Sequence, residues 1–110
     1  MLNDLHFYGV TGFSVSEIQK ASACPVMTLG LFNVQLKDND LEDLAGLKQL
    51  KLLILQENAE ITDADFEYFE RITTLKYLRL TKTSVTKEGV KEFEKKRPDV
   101  RVVLNYGIFP

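Results

Sequence analysis

The sequence predicts an α/β protein: a short, right-handed curved solenoid with about five parallel strands on the inside and helices on the outside. Two observations predict it. Apolar residues recur at a nearly fixed interval along the chain, and within each interval the apolar period switches from two to three or four. Leu2, Val26, Leu50, Leu75 and Val100 open successive units, at spacings of 24, 24, 25 and 25 residues. A unit of that size cannot bury its apolar face alone, whereas stacked units bury a continuous core.

The strands come first in each unit. Three and five positions after the opening residue stand Leu5 and Phe7, Leu29 and Leu31, Leu53 and Leu55, and Leu78 and Leu80. That is period 2, the mark of a strand with one buried face. In the fifth unit the rule gives Val103 and Asn105. A slip of one residue instead turns Val102 and Leu104 inward.

The helices follow. Apolar pairs five apart, Phe13 and Ile18, Leu36 and Leu41, Ile61 and Phe66, Val85 and Val90, have the spacing of a hydrophobic staple. The residue after the first member of each pair is Ser14, Lys37, Thr62 or Thr86, and three of these four are good N-caps. Three positions later come Glu17, Asp40, Asp65 and Gly89, so Ser14 and Glu17 form a capping box, and Lys37 and Gly89 depart from the pattern. Ala21, Leu44, Phe69 and Phe93 continue the buried stripe, as do Cys24, Leu47 and Ile72. Each unit therefore reads as strand, turn and a helix of two to three turns. Residues 1–110 form a single domain of about four repeats plus a terminal strand.

The run Leu75-Lys76-Tyr77-Leu78-Arg79-Leu80 and its equivalents resemble the LxxLxL core of leucine-rich repeat proteins. Ile61-Thr62-Asp63-Ala64-Asp65-Phe66 and the stretch Thr83 to Val90 are similar to the cysteine-containing subtype. That subtype occurs in F-box substrate receptors, in the mitochondrial ATP-synthase coupling factor B group and in many bacterial repeat proteins. The resemblance covers essentially residues 2–105. The slot after the strand, where the family carries Asn or Cys, reads Val10, Val34, Asn58 and Thr83, and only Asn58 keeps the type. The resemblance implies a parallel sheet on the concave side and helices on the convex side. It also implies work on other proteins, as a substrate adaptor, an assembly factor or an inhibitor.

Strand alternation then assigns the concave surface. Asp4, His6 and Tyr8 face it in the first unit, Thr28, Gly30 and Phe32 in the second, Leu52, Ile54 and Gln56 in the third, and Tyr77, Arg79 and Thr81 in the fourth. A solvated sheet face is mainly polar, yet this one carries Tyr8, Phe32, Leu52, Ile54 and Tyr77 with Arg79 among them. Aromatic and aliphatic anchors beside an arginine are the composition of a protein-contact patch. Arg79 would give direction through a bidentate hydrogen bond. The alternative is cover from within the chain, with Ile108 and Phe109 as a lid.

Composition excludes several classes. With 110 residues, 45% hydrophobic, 27% charged and a net charge of −2, the chain is neither disordered nor drawn to phosphate backbones. No apolar run is long enough to span a membrane. A single cysteine and the start Met1-Leu2-Asn3-Asp4, which lacks a basic n-region, point to a reducing, cytoplasmic setting.

The chemical motifs favour structure over catalysis. His6 is the only histidine, and no Cys or His pair has metal-ligand spacing. Cys24, before Pro25, reads as a small core residue, with His6 on the other side of the sheet. The run Asp38-Asn39-Asp40-Leu41-Glu42-Asp43 lacks the central Gly and distal Glu of a calcium loop and suits a helix N-terminus. Lys95, Lys96 and Arg97 suit a helix C-terminus, ended by Pro98. No catalytic residues, metal or cofactor are expected. The expected function is non-catalytic binding of a partner protein through Tyr8, Phe32, Leu52, Ile54, Tyr77 and Arg79, with no nucleic acid and no membrane. The alternative is a self-associating structural module, a homodimer through the concave face or the sheet edges.

Overall fold

The computed structural model describes residues 4–9, 15, 18 and 26–105. Five strands, β1 (Asp4–Tyr8), β2 (Thr28–Phe32), β3 (Leu52–Gln56), β4 (Tyr77–Thr81) and β5 (Arg101–Asn105), form one sheet in sequence order. All neighbours are parallel. Helices lie in the connections: α1 (Asp38–Asp43), α2 (Phe66–Glu70) and α3 (Lys87–Lys96). The fold is α/β. Among the described residues no helix is long and apolar enough to cross a membrane.

The register follows the repeat. Leu5, Leu29, Leu53, Leu78 and Val102 stand side by side, as do Phe7, Leu31, Leu55, Leu80 and Leu104. The six leucines of β2, β3 and β4 in these rows are fully buried. Each contributes about 1.5–3 kcal/mol relative to exposure. Leu5, Phe7, Val102 and Leu104, at the two ends, are only partly buried. The fifth strand does slip. The turn before it is unchanged, Val100 N donating to Arg97 O as Leu75 N does to Ile72 O. In the third and fourth units two successive amides, of Lys51 and Leu52 and of Lys76 and Tyr77, donate to one carbonyl. In the fifth Arg101 alone does so, and the unit is one residue shorter there.

The expected helical stripe is the core. Leu36, Leu41, Leu44, Leu47, Ile61, Phe66, Phe69, Ile72, Val85, Val90 and Phe93 are buried in one cluster with the strand leucines. Val15 and Ile18, both helical, join it. The middle helices are shorter than two to three turns. α1 tightens into a 3₁₀ turn at Leu44–Gly46, and α2 is preceded by one at Asp63–Asp65. The Ser14–Glu17 box, Cys24, and Ile108 with Phe109 lie outside the described residues.

Polar contacts between units hold the stack. Asn58 is fully buried; it accepts from Val34 N at 3.0 Å and donates to Leu31 O at 2.8 Å and Gln56 O at 3.0 Å. Asp40 accepts from its own cap amide, Lys37 N, at 3.1 Å and from Val15 N, one unit earlier, at 3.2 Å. Asp65 does the local part for Thr62 N at 2.9 Å. At α3 the corresponding residue is Gly89, and the acid comes from the unit before. Asp63 accepts from Thr86 N at 2.8 Å and from Thr86 Oγ1 at 2.6 Å. A Cβ on Gly89 would collide with that carboxylate. Glycine at 89 thus makes room for a cap borrowed across units.

Arg97 has a larger role than ending a helix. Its guanidinium donates to Glu70 O, Ile72 O and Leu75 O at 3.0, 3.0 and 3.2 Å, satisfying carbonyls at and beyond the end of α2. It also makes a bidentate pair with Asp99, at 3.0 and 2.9 Å. That hydrogen bond from Arg97 is the main reason the Asp99 carboxyl falls from 3.8 to about 2.

Candidate functional site

The sheet face opposite the core carries three rows set by the register. They are Asp4, Thr28, Leu52, Tyr77 and Arg101; His6, Gly30, Ile54, Arg79 and Val103; and Tyr8, Phe32, Gln56, Thr81 and Asn105. All six candidate residues lie on it. Leu52 and Tyr77 are neighbours in the first row, Ile54 and Arg79 in the second, Tyr8 and Phe32 in the third. Together they cross β1 to β4 as one continuous patch.

The strands position these groups because the alternate residues are anchored in the core. Leu53 and Leu55 are fully buried, which leaves Leu52 and Ile54 standing off the sheet, each half-buried. Phe32 and Tyr77 are also half-buried, Arg79 is exposed, and Tyr8 is 67% exposed. The Tyr8 and Phe32 rings stack at 4.5 Å between centroids, 10° from parallel. His6 stacks on the same Phe32 ring at 6.0 Å. Such pairs contribute about 0.5–1.5 kcal/mol beyond their buried area. They hold the aromatic end of the patch in one shape.

Gly30 makes this possible. A Cβ there would sit 2.5 Å from His6 Nδ1 and 2.8 Å from Phe32 Cε2. The two rings close over bare backbone and leave Gly30 buried. Thr81, on β4 in the third row, is 5% exposed, and its Oγ1 has no hydrogen-bond partner among the described residues.

Sequence reasoning missed Arg101. With the fifth unit aligned on Val100, position 101 had no assigned face. The one-residue shortening places it beside Tyr77 on the open face, and it is exposed. The signal was available in Val102 and Leu104, whose alternation demands that 101 and 103 point away.

On the helix side, a groove of about 440 Å³ runs between α2 and α3, lined by Glu67, Glu70, Glu88, Glu92 and Lys96 among others. Lys96 pairs with Glu70 at 3.5 Å. Among the described residues no three His, Cys, Asp or Glu side chains gather as a metal cluster. Neither known protein-family models nor curated protein sequences give a match to this chain.

Proposed function

We propose that the chain is a short right-handed leucine-rich repeat solenoid that binds another protein, without catalysis, on the concave face of its sheet. The supporting observation is the face itself. Leu52, Ile54, Phe32 and Tyr77 remain partly accessible, and Tyr8 two-thirds exposed, in one patch whose backs are locked into a fully packed core. A partner gains by desolvating these groups, and the scaffold pays almost no reorganisation cost because the rings are already stacked.

The test is affinity capture with the intact chain from an extract of the cells that make it, compared with the Leu52→Ser/Ile54→Ser variant. Proteins retained by the wild type and lost with the variant support the proposal, given an unchanged circular-dichroism spectrum. The same proteins on both columns overturn it. Should the double variant unfold, Tyr8→Ser serves in its place. Mass that doubles with concentration, and stays single in the variant, replaces the foreign partner with a second copy of this chain.

A further inference from the structure

We infer that the segment bound on this face is acidic as well as apolar: it seats apolar side chains over β2 and β3 and carboxylates over β4 and β5. This rests on the binding reading above and specifies its partner. The carrying observation is a pair of guanidinium groups with no acid partner among the described residues. Arg101 lies directly beside Tyr77, about 5 Å away across the strands, and Arg79 stands two residues along β4 on the same side. Both are exposed, and neither pairs with an acid among the described residues. The contrast with Arg97 is sharp, since that side chain is spent on three carbonyls and Asp99.

Among the described residues no local acid meets this charge. Asp99 is held by Arg97 and lies 3.9 Å from Lys76. Asp4 shares the first row but stands on β1, three strands from Tyr77, or about 14 Å. So a chain of net charge −2 gathers cations at one corner of its most apolar face. Two forked donors flanking a tyrosine match carboxylates. A nucleic acid fits less well: the aliphatic Leu52 and Ile54 separate the Tyr77 ring from those of Tyr8 and Phe32, and among the described residues the cations of this face stop at β4. From Leu52 to Arg101 is two strand spacings, roughly 10 Å, or about three residues of extended chain. The segment recognised thus carries an apolar anchor and, about three residues on, an acid.

The experiment pans a random-peptide display library on the intact chain. The most enriched sequence is then made as a fluorescent peptide for anisotropy titrations. Acidic residues near an apolar anchor are expected, with affinity falling about tenfold in Arg79→Glu/Arg101→Glu and only partly recovering in Arg79→Lys/Arg101→Lys, which restores the charge without the fork. Binding should also weaken at high salt. Peptides that depend on Leu52 and Ile54 but carry no acids, or that ignore the charge reversal, overturn this inference and leave the binding face standing. Peptides indifferent to Leu52→Ser/Ile54→Ser, or to Tyr8→Ser if that variant unfolds, overturn the face as well. Tighter binding of a polyuridine oligonucleotide that displaces the peptide overturns the assignment to protein.

Discussion

Asn58 offers the most direct test of how the units are joined. Its side chain is fully buried and makes three hydrogen bonds, to Val34 N, Leu31 O and Gln56 O. Asn58→Ala removes all three, at about 1 kcal/mol each. Gln56 O still accepts from Asn33 N at 2.9 Å, but the buried amide of Val34 loses its acceptor. The total is about 3–4 kcal/mol, or roughly 12–16 °C in Tm for a domain of this size. Asn58→Asp is a sharper probe because it keeps the shape and the bond from Val34 N. It replaces two donated bonds with a carboxylate facing two carbonyl oxygens at a fully buried site. Burial and those oxygens push the pKa of the new carboxyl up in the folded state. With a raised folded value, stability is greatest below the unfolded pKa and is lost as pH rises through the folded one. Urea titrations of both variants at pH 4 and pH 7 read this out. Asn58→Ala within about 0.5 kcal/mol of wild type, or Asn58→Asp with no loss between the two pH values, refutes the reasoning.

Four further outcomes are expected. Gly89→Ala lowers stability by about 1 kcal/mol, because the new methyl displaces the Asp63 carboxylate from Thr86; in an Asp63→Ala background the same change stabilises by about 1 kcal/mol, as alanine normally does in a helix, and thermal melts of the four proteins in the cycle show the reversal of sign. Arg97→Ala costs about 2–3 kcal/mol in urea titrations through the lost bonds to Glu70 O and Leu75 O, whereas Ile72 O keeps Leu75 N. The paired Asp99, whose folded value is depressed, stabilises fully above 3.8 and loses that effect as pH falls from 3.8 through about 2, so Asp99→Asn flattens this part of the Tm-against-pH curve. Thr81→Val raises stability by about 1 kcal/mol in chemical denaturation, since it removes a buried hydroxyl that bonds to nothing among the described residues.

The strands and the buried stripe were legible because each is a local pattern with a fixed period, and one buried face makes that period strict. Leu53 inward and Leu52 outward is a single decision, repeated in every unit, and even the slipped fifth strand announced itself through Val102 and Leu104. The contacts between units were not legible, because they join residues 22 to 27 apart whose local surroundings are alike. Asp63 and Asp65 stand in one Asp-Ala-Asp run. The capping template selects Asp65, and nothing nearby marks Asp63 as the acceptor for Thr86, the N-cap of the next helix. Arg97 had the position of a residue that answers a helix dipole, whereas its bonds run back to α2 and its following turn. The same division governs the candidate site. Repetition alone places the six residues on one face, but a perfect repeat has no preference for any partner. Preference enters where the repeat differs from itself. Across the second row the residues are His6, Gly30, Ile54, Arg79 and Val103, so equivalent positions hold a ring, a gap, an aliphatic, a cation and an aliphatic. On the proposed binding function, what the sheet recognises is therefore written in the departures from its own period, and charge reversal at Arg79 and Arg101 should alter peptide binding with little effect on the stack of leucines beneath.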